Sequence, residues 1–421
     1  MSARHPRRAA VTGIGVIAPN GTGTETFWKA TKEGISALGP VTREGCEHLP
    51  LRVAGEVREF DAGAAVEERF LVQTDRFTHF AMAAADLALE DARLGRSDSE
   101  ASAYSVGVVT AAASGGGEFG QRELQRLWSK GSRFVGPYQS IAWFYAASTG
   151  QISIRRGFKG PCGVVASDEA GGLDALAHAA RAIRRGTDVM VAGSTEAPLA
   201  PYSMVCQLGY QELSTAEDPE RAYRPFTSAA CGFVPAEGGA MLVVEDAVAA
   251  RERGAPVRAV LAGHAATFTG ASRWAESREG LAQAIRGALE EAGCAPEEID
   301  VVFADALGVP EADRAEALAI ADALGPHGTR VPVTAPKTGI GRGYGAAPVL
   351  DTAAAVLAME DGLIPPTPHV FDICHDLDLV TGRARVAELG TALVLSRGLM
   401  GSNSALLLRR RPHGKGEEPY E

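Results

Sequence analysis

The sequence predicts an α/β fold in which sheets are buried between helices. Strand-like apolar runs alternate with amphipathic segments along the whole chain, which is the pattern of layered α/β domains. The chain has 421 residues, enough for two domains of ordinary size, and 46% of them are hydrophobic, so a large core can form. Its 49 glycines indicate close packing of helices on sheets rather than disorder.

The first half begins with a strand that ends at a Pro-Asn-Gly turn, and it continues with alternating helices and strands. The predicted strands are residues 9–18, 106–110, 188–193 and 240–245, and the predicted helices are 27–33, 76–94 and 173–185. Residues 251–256 read as a loop that crosses to the second half. We therefore place the N-terminal half at residues 1–255.

The second half repeats this logic over residues 256–410. Residues 281–292 have apolar positions at helical spacing, which predicts an amphipathic helix. The other predicted helices are 314–324 and 349–360, and the predicted strands are 257–263, 299–305, 331–336, 391–396 and 405–408, the last two as a hairpin-like pair. Residues 411–421 form a polar tail that we expect to be frayed.

The most informative motif is a strand–turn–helix over residues 160–177, Gly-Pro-Cys-Gly-Val-Val-Ala-Ser-Asp-Glu-Ala-Gly-Gly-Leu-Asp-Ala-Leu-Ala. Acyl-transfer enzymes use such an elbow to raise a nucleophile into a pocket at a helix N-terminus. Glu169 stands at the apex here, where a Cys or Ser would be expected. A carboxylate attacks thioesters poorly, so the site has the form of an acyl-transfer site without its nucleophile.

The elbow resembles that of thiolase-fold β-ketoacyl synthases. With Ala-Gly-Gly-Leu-Asp-Ala at residues 170–175, it is most similar to the chain length factors, the ketosynthase beta subunits of bacterial type II polyketide synthases. Those subunits usually carry Gln at the position of Glu169. The resemblance covers about residues 11–410 and implies a thiolase-like fold, in which two duplicated α/β halves stack in five layers (αβαβα).

The same resemblance implies that two catalytic histidines are also replaced. Asp305 opens the turn where one would stand, Arg342 occupies the place of the other, and Lys337 is retained. The resemblance therefore implies no catalytic residue in this chain. We expect Glu169, Asp305, Lys337 and Arg342 to form a buried ion-pair cluster, because buried charges must be paired. The alternative is that Glu169 still assists decarboxylation of a malonyl thioester.

Residues 108–130 and 138–151 resemble the segments with which chain length factors meet their partner and cap a tunnel for the growing chain. By position, the chain-length gate comprises Thr110, Ala113 and Gly117, which are all small and predict a roomy tunnel and a comparatively long product. In the alternative, the three glycines at 115–117 only allow a tight turn. The tunnel is then closed by Phe119, Trp143 or Phe144.

The function implied is that of a non-catalytic chain length factor within a β-ketoacyl-[acyl carrier protein] synthase complex. The implied partners are an active ketosynthase (alpha) subunit as a heterodimer, an acyl carrier protein and the growing polyketide. The carrier's phosphopantetheine arm would serve the partner subunit, and this chain would bind no cofactor and no metal. The competing functions are a malonyl-carrier-protein decarboxylase and a homodimeric scaffold that traps an acyl chain. Starter unit, number of extensions and product class stay open.

Charge and cysteine usage exclude other classes. A net charge of −11 argues against a nucleic-acid surface. The six cysteines include no CxxC pair, which is typical of reduced thiols in a cytoplasmic protein, and we expect Cys162 to be a small core residue. No signal peptide or membrane-spanning run is visible, so we expect no membrane association.

Overall fold

A computed structural model of the chain describes residues 7–95, 100–270 and 277–410. The predicted polar tail, residues 411–421, lies outside the described residues. The strands are β1 (Ala9–Ala18), β2 (Gly21–Thr22), β3 (Leu38–Pro40), β4 (Val53–Gly55), β5 (Val106–Ala111), β6 (Cys162–Val165), β7 (Val189–Glu196), β8 (Gly238–Asp246), β9 (Ala259–Phe268), β10 (Val301–Phe303), β11 (Pro332–Thr334), β12 (Leu363–Ile364), β13 (Asp378–Leu379), β14 (Arg385–Val386), β15 (Thr391–Arg397) and β16 (Ser402–Arg410). The helices are α1 (Thr24–Lys32), α2 (Ala62–Ala65), α3 (Glu68–Leu71), α4 (Arg76–Asp91), α5 (Glu100–Ala103), α6 (Gly117–Lys130), α7 (Gln139–Ala142), α8 (Ala147–Arg156), α9 (Gly171–Arg184), α10 (Pro201–Gln207), α11 (Ala247–Glu252), α12 (Ser277–Ala292), α13 (Pro310–Leu324) and α14 (Ala346–Asp361).

The sheet topology contains the same five-strand pattern twice. The strand order is β1-β8-β7-β5-β6 in one set and β9-β16-β15-β10-β11 in the other. In both sets the first two pairings are antiparallel and the last two are parallel. The sets are joined edge to edge by a short pairing of Ala10 with Val260 and Val11 with Ala259. The duplication that the sequence shows only weakly is therefore explicit in the strand order.

Helices form three layers around these two strand sets. The central helices α9 and α14 contact each other and strands of both sets, whereas α4 packs on β1 and β8 and α12 packs on β9 and β16. Both central helices are largely buried, as a layer covered on two sides requires. Their close approach depends on Gly172, where a Cβ atom would lie 2.1 Å from the carbonyl oxygen of Gly345. The predicted five-layer thiolase-like architecture is confirmed.

Individual elements match the sequence prediction closely, with two informative differences. The strand at residues 9–18 and the terminal β15–β16 hairpin are as predicted. The predicted loop at 251–256 is partly helical, because the Asp246 side chain accepts hydrogen bonds from the amides of Val248 and Ala249 and caps α11. The strand predicted at 299–305 ends at Phe303, since the chain then turns through Ala306 at a φ of 51°.

Candidate functional site

The predicted elbow is present, and it holds a buried carboxylate. β6 ends at Val165, a short 3-10 turn covers Asp168–Ala170, and α9 begins at Gly171. Asp168 has a φ of 55°, which non-glycine residues seldom adopt, so the turn is tightly constrained. Glu169 lies in this turn with only 1% of its surface exposed. The elbow therefore presents a carboxylate, rather than a thiol or a hydroxyl, at its centre.

Arg342 joins Glu169 to Asp305. Its guanidinium lies 2.8 Å from Glu169 Oε2 and 2.8 Å from Asp305 Oδ1. It also donates hydrogen bonds to the main-chain oxygens of Asp305 (3.1 Å) and Arg397 (2.6 Å). Because all of these side chains are buried, the ion pairs are shielded from water. Arg342 thus directly joins three of the four residues that we expected to form one cluster.

Arg397 and Glu316 extend the cluster, and sequence analysis missed both. Arg397 Nε lies 3.2 Å from Asp305 Oδ2, and its Nη2 lies 3.0 Å from Glu316 Oε2. Glu316 also accepts a hydrogen bond of 2.7 Å from the amide of Asp305. The sequence contained a signal for Glu316, because it stands four residues from both Ala312 and Ile320 on the buried face of α13.

Lys337 belongs to this cluster through a different carboxylate. Its Nζ lies 2.5 Å from Asp351 Oδ2 and donates a hydrogen bond of 3.1 Å to the main-chain oxygen of Asp305. Asp351 lies on the central helix α14 and was not identified from the sequence. The retained lysine is therefore buried and paired within the second half of the chain.

Acidic groups outnumber basic groups in this cluster by one. It contains four carboxyl groups and three cations, namely Glu169, Asp305, Glu316 and Asp351 with Lys337, Arg342 and Arg397. Burial raises the pKa of Glu169 to about 7, even though Arg342 lies beside it. Burial also acts on Asp305, but Arg342 and Arg397 hold the pKa of that carboxyl below its usual range. Burial raises the pKa of Glu316 and Asp351 too, so Asp305 is the only one of these four carboxyls whose pKa is held low.

Thr110 and Ala113 lie on either side of the C-terminal end of β5. Thr110 is buried, and its hydroxyl lies 2.6 Å from that of Thr149. The amide of Ala113 donates a hydrogen bond of 2.6 Å to Glu196 Oε1. Burial raises the pKa of Glu196 to about 7. These two positions therefore belong to a segment that is fixed by buried polar contacts.

The third predicted gate position, Gly117, lies against another helix of the same chain, and the roomy tunnel with a long product stays a prediction. A Cβ atom at Gly117 would lie 2.0 Å from Ser203 Oγ, because α10 of the same chain packs against this position. The neighbouring glycines are close-packed too: Gly115 has a φ of 61°, and a Cβ atom at Gly116 would lie 2.0 Å from the carbonyl oxygen of Ala142. The structure supports the alternative in which these glycines permit a tight turn.

The aromatic residues near the predicted gate differ in how much of their surface is exposed. Phe119 is buried with 6% exposed, whereas Trp143 and Phe144 are each 52% exposed and lie on the surface. Tyr145 stacks near Phe144, with ring centroids 6.4 Å apart. We call residues 143–145 the aromatic segment. Of the three candidates for closing a tunnel inside this chain, only Phe119 is buried.

Strand β6 forms one end of the large sheet. It pairs with β5 alone within the described sheet, so its other edge presents unpaired main-chain groups. Val164 is 39% exposed, and Cys162 is exposed as well. The prediction that Cys162 is a core residue is therefore wrong, because the strand that carries it is an edge strand.

Comparison with known proteins identifies the family. The N-terminal domain of the beta-ketoacyl synthases matches residues 7–250, and the C-terminal domain of the same family matches residues 258–371. The chain belongs to the beta-ketoacyl synthase family. The two matched domains lie on successive parts of the chain, and together they cover most of it.

Relatives within the beta-ketoacyl synthase family include polyketide synthase components. A Streptomyces coelicolor protein that carries "polyketide beta-ketoacyl synthase 2" in its name is 79% identical over 404 residues, which are 96% of this chain and 95% of that protein. The tetracenomycin polyketide synthase ketoacyl synthase beta subunit of Streptomyces glaucescens is 50% identical over 414 residues, covering 97% of this chain and 99% of that subunit.

Two solved structures of similar proteins have the same fold over nearly the whole chain. The ishigamide ketosynthase/chain length factor matches with a TM-score of 0.87 at 28% identity, covering 97% of this chain and 100% of that chain. A type II polyketide synthase acyl-carrier protein in complex with its ketosynthase, bound to the hexaketide, matches with a TM-score of 0.86 at 28% identity and the same coverage. The matches extend across both duplicated halves.

Two further properties of this beta-ketoacyl synthase chain bear on its chemistry. Over residues 7–95, 100–270 and 277–410, no group of three or more His, Cys, Asp or Glu residues is placed to hold a metal ion. Within the same described ranges, no helix has both the length and the apolar character needed to cross a membrane.

Proposed function

We propose that this chain is a chain length factor, a non-catalytic subunit that pairs with an active ketosynthase and shapes the tunnel in which malonyl units are condensed. The observation that carries the proposal is the buried pairing of Glu169 with Arg342 at the centre of the elbow, 2.8 Å apart. A nucleophile must be free to attack, whereas Glu169 Oε2 is held by the guanidinium of Arg342.

The contacts of Asp305 and of the retained Lys337 also support the absence of catalysis. Ketosynthase chemistry requires groups that stabilise a developing negative charge and handle protons. Asp305 is held between Arg342 and Arg397, and its ionised form cannot donate a hydrogen bond to an oxyanion. Lys337 is occupied by Asp351. Each charged side chain of the cluster thus forms an ion pair with another charged side chain of the cluster.

The surface of this chain supports an obligate protein partner. The exposed edge of β6 and the exposed aromatic segment offer unpaired main-chain groups and large apolar side chains, which together are typical of a protein interface. The names of the relatives indicate which partner to propose, since one is a beta subunit and one solved structure is a ketosynthase/chain length factor. We therefore propose an active ketosynthase alpha subunit as the second half of a heterodimer.

The substrate would reach the complex on an acyl carrier protein. A similar ketosynthase has been solved with its carrier protein, and we propose the same kind of partner here. In this proposal the phosphopantetheine arm delivers malonyl units to the partner subunit, and this chain binds no cofactor of its own. Its contribution is the wall of the tunnel near Thr110 and Ala113. The number of extensions does not follow from Gly117, because Ser203 fills the space beside it.

The experiment is native mass spectrometry of this chain, alone and co-expressed with the active ketosynthase from its own gene cluster. We expect a one-to-one complex. The variant Phe144→Asp should abolish it, whereas Phe371→Asp should not, because Phe371 is 78% exposed but belongs neither to β6 nor to the aromatic segment. A stable homodimer that does not bind the co-expressed ketosynthase would overturn the proposal in favour of an acyl-binding scaffold. Acetyl-carrier product made from malonyl-carrier by the isolated chain, and lost in Glu169→Ala, would favour a decarboxylase.

A further inference from the structure

Two buried carboxylates hold the predicted gate position Ala113 and the first turn of the helix that follows it. We call residues 112–116, between β5 and α6, the gate loop. Glu196, the last residue of β7, accepts a hydrogen bond of 2.6 Å from the amide of Ala113 and one of 3.1 Å from the amide of Ser114. The hydroxyl of Ser114 donates to the same carboxylate. Asp75, at the N-terminus of α4, accepts a hydrogen bond of 2.6 Å from the amide of Phe119 beyond the loop.

Glu196 differs from the other buried glutamates in its partners. Glu237 lies 2.9 Å from Arg76, and Glu245 lies 2.5 Å from Arg253. Glu196 is fully buried, and none of the cations in the part of the chain that the structure describes lies within ion-pair distance of it. A buried carboxylate costs several kcal/mol unless its charge is compensated. Here the hydrogen-bond donors of the gate loop supply that compensation.

The opposite side of the gate loop rests on the aromatic segment. The amide of Gly116 donates a hydrogen bond of 3.2 Å to the carbonyl oxygen of Trp143, and a Cβ atom at Gly116 would lie 2.0 Å from the carbonyl oxygen of Ala142. The loop is therefore fixed between Glu196 inside the chain and the exposed aromatic residues outside it. Any displacement of the loop at Glu196 is transmitted to the surface that we propose faces the ketosynthase.

We propose that Glu196 is a positioning residue for product chain length. By binding the amides of Ala113 and Ser114, it fixes the gate loop relative to the aromatic segment and so sets where the tunnel ends. This inference rests on the proposed function as a chain length factor. Glu196 does not touch the substrate; it acts through the loop.

The test compares product lengths made by reconstituted heterodimers. Each complex receives malonyl-loaded acyl carrier protein, and the released polyketides are separated and weighed by liquid chromatography with mass spectrometry. Glu196→Gln keeps the shape of the side chain but replaces one acceptor oxygen by an NH₂ group, which faces loop donors. We expect the ratio of full-length to altered-length product to fall by on the order of tenfold, because a buried main-chain amide of the gate loop loses its hydrogen-bond acceptor. Glu245→Gln, which also removes a buried charge but lies outside the gate loop, should leave the ratio unchanged.

Ala113→Phe separates failure of this inference from failure of the proposed function. If Ala113→Phe changes the product and Glu196→Gln does not, the inference is overturned and the chain length function stands. If neither variant changes the product of an assembled complex, both are overturned. If Glu196→Gln does not assemble, Ser114→Ala replaces it, since that change removes only the hydroxyl that donates to Glu196. An unaltered product ratio in assembled Ser114→Ala would then count against the inference.

Discussion

Replacing Arg342 by methionine tests whether the buried charged cluster at the elbow has a structural role. Methionine has a similar length and no charge, so the change removes both ion pairs of the guanidinium and its two hydrogen bonds to main-chain oxygens while filling much of its volume. Glu169 and Asp305 would then lie in a buried site without the cation that separates them. Removing one partner of a buried ion pair typically costs about 3–5 kcal/mol.

The matched control is Glu169→Gln, which changes the same contact from the other side. Burial raises the pKa of Glu169 to about 7, so at neutral pH a large fraction of this side chain is already uncharged. A Gln side chain can still accept a hydrogen bond from Arg342, and Asp305 still neutralises that cation. We therefore expect Glu169→Gln to change the free energy of unfolding by less than about 1 kcal/mol, within the range of a typical neutral hydrogen bond.

Thermal unfolding of the purified heterodimer at pH 7 distinguishes these expectations. At about 2.1 cal/mol/K per residue, a chain of 421 residues has an unfolding entropy of about 0.9 kcal/mol/K, so 1 kcal/mol shifts the midpoint by about 1 °C. Arg342→Met should therefore lower the midpoint by about 3–6 °C, and Glu169→Gln should stay within about 1 °C of the parent. Equal midpoints for Arg342→Met and the parent would refute the structural role of the cluster, and a large loss in Glu169→Gln would show that the full negative charge is required.

Three further outcomes follow from the geometry. Burial raises the pKa of Glu196 from 4.5 to about 7, so the folded state binds the proton of this carboxyl more tightly than the unfolded state does. As the pH rises from 5 to 7, the parent should therefore lose stability relative to Glu196→Gln, which is measured as the difference between their unfolding midpoints. Using that difference removes the opposite contribution of buried His79, whose pKa is lowered to about 4. Gly117→Ala should destabilise the chain, and Ser203→Ala should relieve much of the loss, because the clashing atom is Ser203 Oγ; additive losses in a double-mutant cycle would contradict this. Glu169→Cys should not become acylated by an acyl-carrier thioester, as read by intact-protein mass spectrometry, because Asp305 and Arg342 remain in place.

The α/β class and the elbow could be predicted from local signals, whereas the duplicated architecture and the positions of Asp305, Lys337 and Arg342 were implied by the resemblance to β-ketoacyl synthases. Apolar periodicity marked the strands and helices, and the elbow motif fixed where Glu169 lies. The sequence did not reveal Arg397, Glu316 or Asp351, because each of them meets its partner only through tertiary contact. Lys337 and Asp351 are 14 positions apart in the chain, and Glu316 and Arg397 are 81 positions apart. The packing of α10 against Gly117 escaped prediction for the same reason, since nothing near Gly117 in the sequence indicates that α10 lies against it.

The structure also bears on why a glutamate can occupy a position where chain length factors usually carry Gln. A fully ionised carboxylate would add a negative charge to a cluster that already contains three other carboxyl groups and only three cations. Burial shifts Glu169 so that its neutral form is accessible at pH 7, and in that form it presents one oxygen to Arg342 much as an amide would. The glutamate thus retains the contact that holds the elbow to the second half of the chain, whichever protonation state it adopts.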